Sequence, residues 1–204
     1  TLGEEHLDTL KSMHNLALVY IETGCTSEAA SLFEQIVAIK RRVLGDEHPD
    51  TLLSMAWLAG MYDDLRRDQE MVTLIERVLA TSRRVLGDEH PQTLNNMAYV
   101  AVGYAKVDRF AEARTLFEEA LGTYRRVFGE QSVLTAGALQ LYAWTLLTSG
   151  PEERRNQNAE EALRLAEPAC ALEEKDPRPD WVSLSILALA QHLTGDTEKA
   201  IETQ

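Results

Sequence analysis

The sequence predicts an all-α solenoid of about four and a half helical hairpins, because one motif recurs at a fixed interval and apolar residues follow it at helical spacing. The motif reads LGEEHLDTL from Leu2, LGDEHPDTL from Leu44 and LGDEHPQTL from Leu86, a period of 42 residues. An Arg-Arg-Val triplet ends each of the first three units, at residues 41–43, 83–85 and 125–127. A unit of this size cannot bury its own apolar face, so the units are expected to stack on their neighbours.

The period divides the chain into four units and part of a fifth, which we interpret as a single solenoid domain. Their predicted bounds lie near residues 2–43, 44–85, 86–127, 128–176 and 177–204. The fifth unit is expected to start near Trp181, and its second helix near Ala200. Because the chain starts without methionine and stops inside this predicted helix, we interpret it as a fragment of a larger protein.

Each unit is predicted to contain two helices joined by a tight turn. Pro49 and Pro91 stand where a first helical turn accepts proline, and Gly24 interrupts the apolar pattern of the first unit. Two apolar stripes at helical spacing flank that glycine: Met13, Leu16, Ala17 and Tyr20, then Ala29, Phe33 and Ile36. Alanine recurs at one position of the first helices, at Ala17, Ala59, Ala101 and Ala143. Such small residues let two helices approach closely.

The fourth unit departs from this regular pattern. Ser149, Gly150 and Pro151 are expected to stop its first helix, and the polar stretch PEERRNQN is interpreted as an insertion. The second helix is then expected to resume at Ala162, about seven residues later than the period requires. Pro168 inside that helix is expected to kink or loosen it.

Composition and charge disfavour several classes of protein. The 204 residues are 45% hydrophobic and 26% charged, as in a folded chain, and the net charge of −13 disfavours a nucleic-acid partner. No apolar run approaches the roughly 20 residues of a membrane span, and the first residues lack the features of a signal peptide. Cys25 and Cys170 lie far apart, which suits buried thiols in a reducing compartment. We therefore predict a cytoplasmic protein without a membrane partner.

The Glu-His pairs of the repeated motif are the most prominent candidates for chemistry. They occur at Glu5-His6, Glu47-His48 and Glu89-His90, and they offer metal ligands or acid–base partners. One pair per repeat places them on successive hairpins, about 10 Å apart, so they need not converge. We interpret them instead as caps before each first helix. The sequence contains no phosphate loop, nucleophile elbow, HExxH or kinase motif, and we predict no enzyme, no metal site and no cofactor.

The spacing of alanine and aromatic residues in each unit resembles that of tetratricopeptide repeats (TPRs). The linker LG-x-x-HP-x-TL is similar to the longer, kinesin-light-chain variety, and the resemblance covers nearly the whole chain. It implies a right-handed TPR superhelix. The C-terminal segments AEEALRLAEPACAL, DPRPDW and GDTEKAIETQ resemble the closing repeats of TPR regions attached to bacterial serine/threonine kinases and related signalling proteins.

The resemblance also implies which positions of the first helices line a concave face, once Leu16 is aligned with the seventh position of the family. These positions predict a peptide-binding groove of Lys11, His14, Asn15, Leu18, Trp57, Asn95, Tyr99, Gln140 and Trp144. Only Lys11, Asn15 and Asn95 suit a C-terminal carboxylate, so such a clamp is not predicted. The aromatic residues favour a peptide that inserts apolar side chains. Alternatively, Trp57, Tyr99 and Trp144 pack between adjacent repeats.

The predicted function is a scaffold that recruits a protein or peptide through this groove, as the interaction region of a larger signalling protein. The alternative is an intramolecular regulatory or self-association domain of a bacterial serine/threonine kinase or nucleotide-dependent switch protein. In that case another copy would occupy the groove or the chain end. An enzyme would instead need a deep pocket with two or more perturbed titratable groups within hydrogen-bond reach.

Overall fold

The structure is a computed structural model that describes residue 3, residues 5–173 and residues 181–195. These residues form nine helices and no strand, which confirms the predicted all-α class. The first helices of the hairpins are α1 (Leu7–Glu22), α3 (Pro49–Asp64), α5 (Pro91–Lys106), α7 (Val133–Thr148) and α9 (Trp181–Thr194). The second helices are α2 (Thr26–Leu44), α4 (Asp68–Leu86), α6 (Phe110–Phe128) and α8 (Glu152–Glu173). The helix predicted from Ala200 and the side chain of Cys170 lie outside the described residues, whereas Cys25 is a half-buried free thiol.

The contacts divide the chain into two compact units, Thr1–Asp88 and Glu89–Gln204. In the first unit each of α1 to α3 packs against the helix that follows it. In the second unit the same order holds from α5 to α9, and α7 also contacts both α5 and α9. The predicted hairpins are therefore present in both units. That the whole chain behaves as a single domain stays a prediction.

The repeated motif starts α1, α3 and α5 through a histidine cap. The Nδ1 atom of His48 accepts a hydrogen bond from the backbone N–H of Asp50 at 3.2 Å, and Pro49 occupies the first helical turn. His6 and His90 cap α1 and α5 in the same way. An N-cap acceptor satisfies one of the backbone donors that a helix start leaves unpaired. This geometry confirms the predicted capping role for the histidine of each Glu-His pair.

The paired arginines at the ends of the second helices bind the loops on either side of them. Arg41 donates from Nε to Oδ1 of Asp46, 2.5 Å away, in the loop that follows α2. Arg42 reaches back 2.7 Å to the carboxylate of Glu5, in the loop that opens its own repeat. The pairs Arg84–Glu47 and Arg126–Glu89 repeat the second contact one period apart. Because these side chains are exposed, each ion pair is expected to contribute at most about 1 kcal/mol.

Alanine contributes much of the buried core in both units. Ala17, Ala59, Ala101 and Ala143 are all buried, as their shared position predicted. In the first unit Phe33 and Ile36 of α2 are fully buried against this alanine column. In the second unit three fully buried residues of α8 are themselves alanines: Ala159, Ala162 and Ala166. Small residues at these places allow α8 to lie close to its neighbours.

The predicted insertion in the fourth repeat is wrong. Helix α8 begins at Glu152, in the same period as α2, α4 and α6, so the stretch PEERRNQN forms its first turns and no loop. Most residues of this stretch are exposed, which is consistent with their polar side chains. Glu152 and Glu153 favour a helix start because their negative charge complements the positive end of the helix dipole. The helix also continues through Pro168 to Glu173. That Pro168 kinks or loosens it stays a prediction. Helix α8 has 22 residues, whereas α2, α4 and α6 have 19 each, so part of the extra length of this repeat lies at the end of α8.

Candidate peptide-binding groove

A groove of about 680 Å³ opens in the second unit between α5 and α7. Tyr124 of α6 and Ser185 of α9 also border it. Its lining residues are Asn95, Ala98, Tyr99, Tyr124, Val133, Leu134, Gly137, Ala138, Gln140, Leu141, Trp144 and Ser185. The volume is in the range of sites that bury a small ligand or a few side chains of a peptide.

Four of the predicted groove residues meet here. Asn95 and Tyr99 come from α5, and Gln140 and Trp144 come from α7. Tyr99 and Trp144 keep 52% and 43% of their surfaces exposed, so their rings are accessible from solvent. Within each helix the two residues are four positions apart, so they lie on the same helix face. One pair contributes to the α5 side of the groove and the other to the α7 side.

Tyr124 lies at the inner side of the groove and was not among the predicted residues. It is buried, and its ring centroid lies 5.9 Å from that of Phe128. Burial raises the pKa of Tyr124, and the nearby Tyr99 raises it further. The residue belongs to a second helix, whereas the family positions used for prediction lie on first helices only. The equivalent positions one and two periods earlier are Ser82 and Lys40. The change from these polar residues to an aromatic one was the signal in the sequence that could have indicated Tyr124.

Val133 and Leu134 form an apolar rim that sequence reasoning also missed. They start α7, where the earlier repeats have a proline followed by Asp50 or Gln92. Their surfaces are 83% and 46% exposed. Ser132 replaces the histidine cap here, and its Oγ accepts the N–H of Leu134 at 3.2 Å. An exposed apolar pair beside an aromatic groove is typical of contact surfaces for other molecules.

The first unit holds the other five predicted residues, of which His14 and Trp57 make ring contacts. The indole of Trp57 stacks on Phe33, and His14 meets the same indole edge-on at 6.2 Å. Trp57 is also 39% exposed. Trp57 therefore packs between successive hairpins, and part of its surface also faces solvent. That it lines a peptide-binding groove stays a prediction.

Lys11, Asn15 and Leu18 lie on α1, the helix that also carries His14. Lys11 and Asn15 are exposed, and Leu18 is half-buried. The ammonium of Lys11 lies 3.9 Å from the carboxylate of Asp8, one turn earlier. These side chains are available for contacts with a partner.

Lys40 of α2 forms hydrogen bonds to α3 close to His14. Its Nζ donates to the backbone oxygen of Asp50 at 3.2 Å and to Oγ of Ser54 at 2.9 Å. Burial lowers the pKa of Lys40, against the opposing effect of Asp50. Burial also lowers the pKa of His14, and the positive charge of Lys40 lowers it further. The ammonium of Lys40 thus satisfies the backbone oxygen of Asp50 and the hydroxyl of Ser54.

In the part of the chain that the structure describes, no group of three or more His, Cys, Asp and Glu side chains is placed to hold a metal ion. None of the described helices combines the length and apolar character needed to cross a membrane.

Stacked helical hairpins with an open groove define a helical-repeat protein, and comparison with known proteins specifies its family. Two family models, both described as tetratricopeptide repeat, match residues 9–50 and 50–121. The nearly identical TPR-like repeats of a predicted kinesin light chain from Podosopora anserina are 30% identical. That match covers 98% of this chain and 93% of the other, with a TM-score of 0.73. This chain belongs to the tetratricopeptide-repeat family, with repeats of the kinesin-light-chain-like kind.

Two further solved structures share the fold. A variant form of the same Podosopora anserina repeats is 28% identical over 100% of this chain and 93% of that chain, with a TM-score of 0.75. BtubC (BKLC) from P. vanneervenii is 20% identical over 95% of this chain and 76% of that chain, with a TM-score of 0.72, a likeness in fold alone. No curated protein matches the sequence. Tetratricopeptide repeats are generally protein-interaction scaffolds, and such folds are typically non-enzymatic.

Proposed function

We propose that this chain binds a protein or peptide partner through the groove of its second unit. The observation that carries the proposal is the convergence of Asn95, Tyr99, Gln140 and Trp144 on one opening of about 680 Å³. Large aromatic side chains at the centre of a contact supply most of its binding energy, and an amide side chain can orient a peptide backbone. The exposed residues of the first unit, including Lys11, Asn15 and Trp57, are proposed as further contacts for the same class of partner.

A peptide-display selection tests this proposal directly. The immobilised chain selects from a random twelve-residue library, and the best peptide is synthesised and titrated against purified variants. The double variant Tyr99→Ala/Trp144→Ala is expected to weaken binding by at least about tenfold, because each lost anchor is worth roughly 1 kcal/mol or more. Its circular dichroism should match that of the unsubstituted chain.

Val127→Ala is the matched control for this selection. Val127 is 39% exposed at the end of α6 and does not line the groove. This variant is expected to bind the peptide as the unsubstituted chain does. Equal affinity of the control and the double variant would place binding elsewhere, and a failure to select any peptide would contradict the proposed function.

Self-association is a second candidate function, favoured by the exposed apolar pair Val133 and Leu134. If a second copy covers this rim, the mass measured by light scattering should rise with concentration. The double variant Val133→Pro/Leu134→Gln, which copies residues Pro91 and Gln92 of the preceding repeat, should then remain a monomer. A constant monomer mass for the unsubstituted chain would leave the rim to a different partner.

We also propose that the chain is the interaction region of a larger signalling protein in the cytoplasm, as the resemblance to kinase-associated repeats implies. A fluorescent fusion in the native cells tests the compartment. Exclusion of the fusion from the cytoplasm would contradict that part of the proposal.

A further inference from the structure

The repeat period allows one place in the fold to be compared in the two units. Lys40, Asp50 and Ser54 of the first unit stand two periods before Tyr124, Leu134 and Ala138 of the second. The first set is a hydrogen-bonded polar group, in which Lys40 donates to the other two residues. The second set lines the open groove. Equivalent positions on one scaffold therefore carry opposite chemistry.

The groove of the second unit is free of formal charge along its described lining. None of its lining residues is Asp, Glu, Lys or Arg, although 26% of the chain is charged. Helix α7, which supplies most of the lining, has no charged residue, and α5 has only Lys106 in its last turn. A charged group entering this groove would lose hydration without meeting an opposite charge, which is costly.

The remaining polar groups of the groove suit an uncharged peptide backbone. The exposed side-chain amide of Asn95 has both a donor and an acceptor, as a peptide group has. The hydroxyl of the exposed Tyr99 can likewise donate or accept. Trp144, Leu141 and Leu134 offer apolar walls beside these groups. An extended segment could place its backbone against the polar groups and one side chain against the walls.

We infer that the groove of the second unit selects an extended, uncharged segment of a protein partner that inserts an aromatic or branched aliphatic side chain. This inference rests on the proposed peptide-binding function and specifies its ligand. It also predicts that binding depends little on ionic strength, because screening acts on charged contacts.

The peptides recovered from the twelve-residue display library test the inference. The consensus is expected to have an aromatic or branched aliphatic anchor without Asp, Glu, Lys or Arg beside it. The best peptide is resynthesised with acetylated and amidated ends and with its anchor changed to Glu or Lys, and each change should weaken binding by at least about tenfold. Raising sodium chloride from about 50 to about 500 mM should change the affinity by less than about twofold.

A transplant of the polar group from the first unit provides the matched variant. Tyr124→Lys/Leu134→Asp/Ala138→Ser places Lys40, Asp50 and Ser54 chemistry at the equivalent positions of the groove, a combination that the first unit already accommodates. The triple variant should lose binding of the uncharged peptide by at least about tenfold at unchanged helicity. Leu134→Asp alone changes a side chain that is 46% exposed, and it serves as the second variant if the triple variant does not fold.

The outcomes separate the inference from the proposed function. A charged consensus whose binding is lost in Tyr99→Ala/Trp144→Ala would overturn the inference and leave the proposed function standing. Tighter binding of the Glu or Lys peptide, or full binding by the triple variant, would also overturn it. A library that yields no binding peptide would overturn both.

Discussion

The indole of Trp57 stacks on the ring of Phe33, with ring centroids 6.1 Å apart and ring planes 6° from parallel. Phe33 belongs to the second helix of the first repeat and Trp57 to the first helix of the next, so the contact joins two successive hairpins. Repeat proteins derive much of their stability from such nearest-neighbour interfaces. The stack therefore makes Trp57 a structural residue as well as a candidate contact for a partner.

A double-mutant cycle on this pair should measure its coupling. Phe33→Ile copies Ile75, which follows by one period, and Trp57→Ala removes the indole. We expect Trp57→Ala to lower the free energy of unfolding in urea by about 2 kcal/mol, with about 0.5–1.5 kcal/mol of coupling between the two changes. Strictly additive effects would show that the stack contributes nothing beyond buried area.

The histidine caps predict a specific effect of substitution at His48. His48→Ala removes the acceptor for the N–H of Asp50 and should lower stability by about 0.5–2 kcal/mol. His48→Ser should retain most of that stability, because Ser132 already caps α7 in this way. Thermal unfolding of the two variants measures the difference. Equal losses would mean that the cap itself is not the source of the stability.

Gly150 should tolerate no side chain, for two separable reasons. Its φ of +85° disfavours any residue with a Cβ, and a Cβ there would lie 2.9 Å from Cζ of Phe110. Gly24 has a similar φ of +76° with nothing within 4 Å of a Cβ. We expect Gly24→Ala to cost about 1 kcal/mol of unfolding free energy and Gly150→Ala about 1–2 kcal/mol more. Equal losses at the two sites would show that Phe110 moves aside freely.

The lowered pKa of His14 predicts loss of stability in mild acid. Because burial and Lys40 hold its folded pKa below the unfolded value, the unfolded chain binds the proton first as pH falls. Stability should therefore be fully present above the unfolded histidine pKa, about 6.5, and decline below it. His14→Gln, which copies the residue at Gln140, should show a smaller decline between about pH 7.5 and 5.5 in urea titrations. An unchanged pH dependence in the variant would exclude His14 as a cause.

The period predicted the hairpins well because it fixes where a helix can begin. The glycine, histidine and proline of the linker between the first two repeats act locally, through a positive φ at Gly45, a cap at His48 and a first turn at Pro49. The same 42-residue period, counted from the starts of α2, α4 and α6, predicts that α8 begins at Glu152. The polar composition of PEERRNQN was instead interpreted as a loop, although a helix on the outside of a repeat protein is expected to be polar.

The candidate site could be predicted only in part. Asn95, Tyr99, Gln140 and Trp144 follow from positions on the first helices, which one family pattern describes. Tyr124 lies on a second helix and Leu134 in the first turn of a first helix, so no single periodic pattern includes them. Their proximity to the groove depends on how α5, α6 and α7 pack in space.

The sequence by itself determined the all-α repeat fold, because a motif copied at a fixed interval imposes the same caps, turns and apolar stripe on each unit. It also determined which column of side chains the first helices share. Only the tertiary structure decided that Trp57 stacks on Phe33, whereas Trp144 borders an open groove. Whether a side chain is covered depends on the residues that face it from neighbouring helices. One such position on the second helices is Lys40 in the first repeat and Tyr124 in the third, although the backbone period is the same.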